Sequence, residues 1–257
     1  MIDLFQLSGR VVLLTGATGG IGEPAARLLA EAGARLVLSC KDATRLADLV
    51  SALRDEGHAC DGLVCDLSGA SAVRGLAERA LGLAGRIDVL ICNGGMEGFV
   101  GPIGQASEGD IDTLFAVNLR SAMTLTAAVI PGMADRGGGS VILVASIAGL
   151  RGNRSIGLYG VAKAGLSQLA RNLAVEWGPS GVRVNSLSPG LIRTPFARPI
   201  LENADYLPRR LSLTPLRRAG EPAEVAGAIL FLASDAGGFT TGHNLVVDGG
   251  TTISDGN

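Results

Sequence analysis

Tyr159 and Lys163 lie four positions apart in the segment Tyr159-Gly160-Val161-Ala162-Lys163. On a helix, this spacing places the phenol and the ammonium on one face. A nearby cation favours the phenolate, so we expect Lys163 to lower the pKa of Tyr159. Such a tyrosine can exchange a proton with an alcohol or carbonyl oxygen near neutral pH. The alternative is that Tyr159 packs in the core and that Lys163 is a solvated helix residue.

Ser146 directly follows the apolar run Val141–Ala145. If that run is a parallel strand, Ser146 lies at its carboxyl end, where ligands bind in open α/β sheets. Its hydroxyl can hold the same substrate oxygen that Tyr159 protonates.

A glycine-rich turn, Thr15-Gly16-Ala17-Thr18-Gly19-Gly20-Ile21-Gly22, follows the first apolar run of the chain. Glycines at such a point let the backbone turn sharply and approach a pyrophosphate, whose charge is met by the N-terminus of the next helix. The spacing differs from the common GxGxxG, and a tight strand-to-helix turn could need glycine for packing alone. Its place between a strand and a helix favours dinucleotide binding.

The chain around these residues alternates between short apolar runs and longer helical patterns. Runs this continuous are typical of strands buried on both faces of a parallel sheet, and the intervening segments are long enough for crossover helices. The pattern predicts a doubly wound, Rossmann-type α/β fold in one domain over residues 1–257, with helices on both faces of the sheet. The seven predicted strands are 10–15, 36–38, 62–65, 87–92, 140–144, 182–185 and 244–247.

Composition narrows the function classes. The 257 residues carry 24 acidic and 22 basic side chains, a formal net charge of −2, which excludes a nucleic-acid binder that relies on bulk positive charge. The four cysteines have no CxxC spacing, so we expect free thiols and no metal site. No secretory signal is visible, and uncharged stretches such as 121–134 are too short to span a bilayer. We expect a cytoplasmic protein without nucleic-acid or membrane partners.

These motifs together resemble the short-chain dehydrogenase/reductase family, in its compact single-domain form, over essentially the whole chain. The glycine turn matches the family's TGxxxGxG, Asp66-Leu67 matches the residues that meet the adenine, and Pro189–Thr194 matches its segment around the nicotinamide. Asn93-Gly94-Gly95 resembles the family's NNAG segment, with Cys92 in place of the first Asn and Gly94 in place of the Ala. The residues that match the catalytic tetrad are Asn118, Ser146, Tyr159 and Lys163.

The resemblance implies a role for each of these residues. Tyr159 is the expected general acid or base, Lys163 holds the nicotinamide ribose, and Ser146 orients the substrate oxygen. Asn118 is expected at a helix kink whose main-chain carbonyl positions a water in a proton relay. The implied cofactor-binding residues are Gly16, Thr18, Gly19, Gly20, Ile21, Gly22, Cys40, Lys41, Asp66, Leu67, Asn93, Gly94, Gly95, Tyr159, Lys163, Pro189, Gly190, Ile192 and Thr194. The expected substrate pocket contains Met96, Ala148, Asn153 and Leu191.

The expected function is NAD(P)-dependent interconversion of a small-molecule secondary alcohol and a ketone. Enoyl reduction is disfavoured, since members of the resembled family that catalyse it usually space the Tyr and Lys more widely. The alternative is a catalytically silent dinucleotide sensor or scaffold, because fold alone does not determine chemistry.

The end of the second strand bears on the choice of cofactor. NAD-preferring enzymes usually place an acidic residue there, to accept hydrogen bonds from the adenosine ribose. In this chain Cys40 stands at that position and Lys41 follows it. A lysine can supply a point charge to a 2′-phosphate, so NADP(H) is favoured over NAD(H). Asp42 and the small Gly19 argue in the opposite direction, and NAD(H) stays open.

The proline-interrupted segment 195–215 cannot form one continuous helix. We expect it to be a mobile substrate lid with apolar contacts from Phe196, Ile200, Leu201 and Leu207; the alternative is a permanently packed connector.

Two further expectations concern arginines and assembly. We expect the pairs Arg209-Arg210 and Arg217-Arg218 to be solvated, with a phosphate-binding patch as the alternative. Arg151 and Arg154 are expected to form exposed salt bridges, with contact to an acidic substrate as the alternative. The C-terminal 246–250 segment matches an edge strand that the resembled family uses in tetramer contacts, which implies a homotetramer.

Overall fold

An all-parallel, seven-stranded sheet runs through the computed structural model, which describes residues 3–254. The strand order is β3-β2-β1-β4-β5-β6-β7, so the chain reverses its direction of winding between β1 and β4. This order confirms the predicted doubly wound sheet. The strands are β1 (Val11–Thr15), β2 (Arg35–Cys40), β3 (Cys60–Val64), β4 (Val89–Cys92), β5 (Gly139–Val144), β6 (Val182–Pro189) and β7 (Asn244–Val247).

Helices cover both faces of the sheet. Side chains on β1 show the division, because Val12 and Leu14 pack into one hydrophobic core while Leu13 packs into the other. The first core includes α1, α2 and α9, and the second includes α3, α5 and α6. The helices are α1 (Gly22–Glu31), α2 (Ala43–Asp55), α3 (Ala70–Ala84), α4 (Glu108–Phe115), α5 (Ser121–Asp135), α6 (Gly157–Trp177), α7 (Arg198–Leu201), α8 (Tyr206–Ser212) and α9 (Pro222–Ala233).

The prediction that strands are buried on both faces is confirmed for the central strands and is wrong for the two edge strands. In β1 and β4 every residue is buried, whereas β3 alternates with exposed residues and β7 has no buried residue. An edge strand has a hydrogen-bonded neighbour on one side only, so its side chains are less enclosed.

A π-helical turn (Ala116–Arg120) joins α4 to α5 and contains Asn118, so the irregularity expected at Asn118 is present. The joined helix Glu108–Asp135 is long and apolar enough to cross a membrane by length and composition. It is longer than the stretch considered in the sequence because it continues back to Glu108. Half of its most apolar window is buried inside the protein, and core helices often meet the same criteria, so this is weak evidence for a span.

The proline-containing segment after β6 forms three short pieces, as its prolines predict. A 3₁₀ helix (Pro195–Ala197) runs into α7, and α8 follows after a turn. We call residues 195–215 the lid segment.

Candidate active site

A cavity of about 660 Å³ opens at the carboxyl ends of the strands. Its walls come from the segments that follow β1 to β6, including the glycine turn after β1 and the loop after β5. This is the edge at which doubly wound sheets bind ligands, and the volume lies within the range typical of small-molecule and cofactor sites.

Tyr159 and Lys163 both lie in the wall of this cavity, one turn apart on α6. The Nζ atom of Lys163 lies 5.6 Å from the centroid of the Tyr159 ring. It also donates a 2.7 Å hydrogen bond to the carbonyl oxygen of Val144, the last residue of β5. The predicted arrangement of phenol and ammonium on one helix face is therefore present, and β5 holds the ammonium in place.

Burial controls the protonation of both groups. It raises the pKa of Tyr159 to about 12, although a hydrogen bond with Ser146 acts in the opposite direction. It lowers the pKa of Lys163 to about 8. The expectation that Lys163 holds the pKa of Tyr159 below its ordinary value is thus wrong for the protein alone, because the cost of burying a phenolate is the largest influence on Tyr159.

Ser146 lies two residues beyond β5, as its position after the apolar run predicts. Its Oγ atom accepts a 3.1 Å hydrogen bond from the backbone N–H of Ala148. The Ser146 hydroxyl also forms a hydrogen bond with the Tyr159 hydroxyl. The two hydroxyls therefore lie side by side in the cavity wall.

Asn118, the remaining member of the predicted catalytic set, is buried and does not line the cavity. Its Oδ1 accepts a 2.8 Å hydrogen bond from the Met96 N–H, and its Nδ2 donates a 2.8 Å bond to the Met96 carbonyl. Gly95 passes close by, since a Cβ there would lie 2.9 Å from Asn118 Oδ1 and 3.3 Å from Lys163 Nζ. The Asn118 side chain therefore positions the loop after β4 rather than facing the cavity.

The glycine turn is held against the same loop. Asn93 donates from Nδ2 to the carbonyls of Gly16, at 3.0 Å, and Thr15, at 3.3 Å. Gly16 has a φ of +65°, and a Cβ there would lie 2.7 Å from Gly94 Cα. Glycine is needed at position 16 both for the backbone conformation and for this approach.

Gly22 is the one predicted cofactor residue that does not line the cavity. A Cβ at this position would lie 2.0 Å from the Gly16 carbonyl oxygen. Glycine is required at position 22 because α1 packs closely against the turn. The prediction that Gly22 contacts the cofactor is therefore wrong, and its role is structural. The other predicted cofactor residues all line the cavity.

The residues present fit a nicotinamide dinucleotide. The turn before α1 provides a cradle of small residues, where a Cβ on Gly20 would lie 2.6 Å from Thr194. Next to it, Ser39 lines the cavity, and its Oγ atom is buried without a hydrogen-bond partner in residues 3–254. A buried hydroxyl without a partner is costly, and this one belongs to a residue of the cavity wall.

Cys40 and Lys41 line the cavity at the end of β2, as predicted, and Asp42 and Arg45 line it with them. The Asp42 Oδ1 accepts a 3.1 Å hydrogen bond from Arg45 N and so caps α2. The Arg45 guanidinium donates a 2.6 Å bond to the Thr18 carbonyl in the glycine turn. Sequence reasoning missed Arg45, since an arginine in a polar helix carries no motif.

The substrate end of the cavity, by which we mean the part beside the lid segment, contains all four predicted pocket residues, Met96, Ala148, Asn153 and Leu191. The lid segment adds Phe196, Ile200, Tyr206 and Arg210, whereas Leu201 and Leu207 do not reach the cavity. Arg151 and Glu97 also line this end. We missed Tyr206 although it is one of two tyrosines in the chain, and the other is Tyr159.

Two expectations about arginines are wrong. Arg210 is not solvated like its neighbour Arg209, because it lies one turn after Tyr206 on the face of α8 that lines the cavity. Arg151 and Arg154 form no ion pair with the carboxylates of residues 3–254. Arg154 is exposed, and Arg151 is half-buried in the cavity wall.

The described residues contain no group of three or more His, Cys, Asp or Glu side chains that could hold a metal ion. All four cysteines lie in this part of the chain and are free thiols. Burial raises the pKa of Cys92 to about 12, so this thiol beside Lys163 is protonated at neutral pH.

Comparison with known proteins gives consistent matches. The family model described as enoyl-(acyl carrier protein) reductase matches residues 16–252. The bovine (Bos taurus) dehydrogenase/reductase SDR family member 4 is 39% identical over 245 residues, which cover 95% of this chain and 88% of that protein. Oxidoreductase UcpA of Salmonella typhimurium is 35% identical and covers 96% of each chain.

Two solved structures show what similar proteins bind. A gluconate 5-dehydrogenase from Burkholderia cenocepacia, in complex with NADP and tartrate, superimposes with a TM-score of 0.93 at 34% identity and 98% coverage of both chains. A 7α-hydroxysteroid dehydrogenase, complexed with NADH and 7-oxo glycochenodeoxycholic acid, gives a TM-score of 0.90 at 32% identity and 96% coverage of both chains.

Proposed function

This chain belongs to the short-chain dehydrogenase/reductase family of oxidoreductases, and we propose that it interconverts a secondary alcohol and a ketone with Tyr159 as general acid and base. The observation that carries the proposal is the buried pair of Tyr159 and Ser146 hydroxyls in the cavity wall, with the Lys163 ammonium beside the phenol.

Ser146, Tyr159 and Lys163 have separate roles in the proposed reaction. A bound nicotinamide dinucleotide supplies or accepts the hydride. Ser146 donates a hydrogen bond to the substrate oxygen and orients it towards Tyr159. In ketone reduction the Tyr159 phenol gives its proton to this oxygen, and with a pKa of about 12 it carries that proton at neutral pH. In alcohol oxidation the phenolate takes the proton, and the Lys163 cation stabilises that charge.

We propose a carbonyl rather than an enoyl substrate. The support is the spacing of Tyr159 and Lys163, which are one helical turn apart with Ser146 bonded to the phenol. Reduction of a C=O bond requires a proton donor and a hydrogen-bond donor for one oxygen atom, and Tyr159 and Ser146 can supply these two groups. The dehydrogenases among the similar structures agree with this choice.

We propose NADP(H) as the preferred dinucleotide. At the end of β2 the position of the ribose-binding acid holds Cys40, whose Sγ is engaged with the Asp42 carbonyl at 3.1 Å. Lys41 and Arg45 supply two positive charges to the same wall. The Asp42 carboxylate, the nearest negative charge in sequence, accepts a hydrogen bond from the N-terminus of α2. This distribution favours a 2′-phosphate over a free 2′-hydroxyl.

A panel of ketones and secondary alcohols, followed by nicotinamide absorbance with both dinucleotides, tests the activity. We expect turnover of at least one carbonyl class and no turnover of enoyl thioesters. The alternative, a dinucleotide sensor or scaffold, predicts binding of the dinucleotide without turnover of any panel member. Preferential reduction of an enoyl thioester, or binding without turnover, would overturn the proposal.

A further inference from the structure

The arginines of this chain differ in whether their charge has a partner. In residues 3–254, five of the twenty guanidinium groups have neither a hydrogen bond nor an ion pair. Three of these five, Arg74, Arg154 and Arg209, are exposed and so are solvated. The two half-buried ones, Arg151 and Arg210, both line the substrate end of the cavity.

Arg151 and Arg210 come from separate elements and converge on one place. Arg151 lies in the loop between Ser146 and α6, and Arg210 lies on α8 in the lid segment. Their charges are close enough for Arg151 to lower the pKa of Arg210, after burial, which is the larger cause. Both residues line one cavity and are half-buried, so its wall holds two guanidinium groups at reduced solvation. Two partly buried cations without a partner raise the free energy of the folded protein unless an anion binds to both of them.

The neighbouring carboxylates of the protein do not supply the anion that would pair with these two arginines. Asp248 raises the pKa of Arg210, but its two carboxylate oxygens accept hydrogen bonds from the N–H groups of Gly250, at 2.8 Å, and Thr252, at 2.7 Å. Glu97 lines the same end of the cavity and acts on Tyr159, whose pKa it raises. No carboxylate of the described chain lies within ion-pair distance of either arginine.

We propose that the substrate of this enzyme carries an oxyanion group, a carboxylate or a phosphate, which Arg151 and Arg210 bind together. This inference rests on the proposed function and narrows its substrate class to keto acids, hydroxy acids and phosphorylated ketoses. Guanidinium groups match the geometry of both oxyanions, and Tyr206, one turn before Arg210, adds a hydroxyl from the same face of α8. An anion bound by both arginines would also connect the lid segment, through Arg210, with the loop after β5, through Arg151.

The test compares ketones that carry an oxyanion group with neutral partners that lack it. The probes are 4-oxopentanoate, 5-oxohexanoate and 6-oxoheptanoate, each paired with its amide, and dihydroxyacetone phosphate paired with dihydroxyacetone. We expect kcat/KM to be higher for an anion than for its neutral partner by about ten- to hundredfold, the size of a charge-assisted contact. The keto-acid and phosphate arms show which oxyanion is preferred.

Arg151→Gln and Arg210→Gln should remove this preference, mainly by raising KM for the anionic ketones. The matched controls are Arg154→Gln and Arg209→Gln, which change unpartnered but exposed arginines close in the sequence. Equal kcat/KM for anionic and neutral partners throughout the panel, or equal loss in the control variants, would overturn the inference.

A binding measurement separates this inference from the proposed function. Calorimetric titration of tartrate and of 4-oxopentanoate into the protein saturated with NADP⁺ should show binding that weakens about tenfold or more in Arg210→Gln. Anion binding without turnover of any ketone would contradict the proposed function and leave the anion site supported. Turnover of neutral ketones without anion binding would contradict the anion site alone.

Discussion

The ring of Phe196 lies 5.9 Å from the ring of Tyr159, centroid to centroid, at an interplanar angle of 38°. Phe196 is the second residue of the lid segment and is half exposed, so the predicted catalytic tyrosine is in contact with the part of the chain that covers the substrate end. We therefore expect ordering of the lid segment and exclusion of water from Tyr159 to be coupled.

This contact leads to a prediction on the lid segment. We expect trypsin to cleave after Arg209, which is exposed, and expect NADP⁺ plus substrate to slow that cleavage because the bound ligands order the segment. Cleavage after the distant, exposed Arg74 should keep its rate and serves as the internal control. If both rates respond equally, or neither responds, the segment is a permanently packed connector.

Tyr159→Phe removes the proton donor and keeps the ring. We expect kcat to fall by about 10²–10⁴-fold, the usual contribution of a general acid or base. The melting temperature and the dinucleotide Kd should change little, because the ring still packs against Phe196. Lys163→Ala should reduce kcat and weaken dinucleotide binding together. Near-normal turnover by folded Tyr159→Phe would contradict the assigned mechanism.

The buried Lys163 makes stability depend on pH in the protein without cofactor. Its pKa is lowered from 10.5 to about 8, so between these values the unfolded chain binds more protons than the folded one. The free energy of unfolding should therefore rise with pH from 8 to 10.5, while the full cost of burying the cation is present below pH 8.

Urea denaturation of wild type and Lys163→Met at several pH values between 7 and 9.5 measures this effect. Subtracting the two curves cancels the titration of groups that do not interact with Lys163, and the range stays below the raised pKa of Tyr159. We expect wild type to gain stability relative to the methionine variant as pH rises. A constant difference would mean that Lys163 titrates normally.

Cofactor preference should depend on the residue at position 40. We expect wild type to have a higher kcat/KM with NADPH than with NADH, and Cys40→Asp to reverse this by placing a carboxylate against the 2′-phosphate. The neutral variant Cys40→Ser should keep the wild-type order. Arg45→Gln should raise the Kd for NADPH more than that for NADH. A wild type that favours NADH by about tenfold or more, a difference of ~1.4 kcal/mol, would contradict the NADP(H) proposal.

Light scattering at micromolar concentration should give the mass of a homotetramer. The outer edge of β7 has no paired strand within the described chain, and Val246 on this strand is 36% exposed. We expect Val246→Lys to lower the mass. The control Val64→Lys, on the opposite edge strand β3, should leave it unchanged. A monomer in wild type would contradict the prediction.

The fold was predictable because each central strand is a continuous apolar run. Buried parallel strands need that pattern, and residues directly after such runs lie at one edge of the sheet. Ser146, Asn93 and the glycine turn could be placed there without a structure. The apolar pattern predicts a strand that ends at 185, whereas β6 continues to Pro189, because the buried Ser186 and Ser188 interrupt that pattern.

Errors arose where the environment in three dimensions outweighs the local sequence. The spacing of Tyr159 and Lys163 indicates their proximity, but not that burial is the largest influence on both pKa values. The adjacent Arg209 and Arg210 predict one charged surface. Adjacent residues on a helix point about 100° apart, however, so Arg209 faces solvent and Arg210 faces the cavity. Arg45 reaches the glycine turn through a tertiary contact that no spacing in the sequence reveals.

The walls of the cavity come from separate stretches of the chain: the ends of β1, β2 and β4 surround the region of the glycine turn, and the lid segment with the loop after β5 surrounds the substrate end. Mutations in the second group can therefore accumulate without disturbing the first. Substrate preference in this protein should therefore change when residues 195–215 are exchanged for those of a relative, in evolution or by design. The exchange is feasible because this segment connects β6 to β7 and is not part of the sheet. Dinucleotide affinity is the quantity that should survive such a graft.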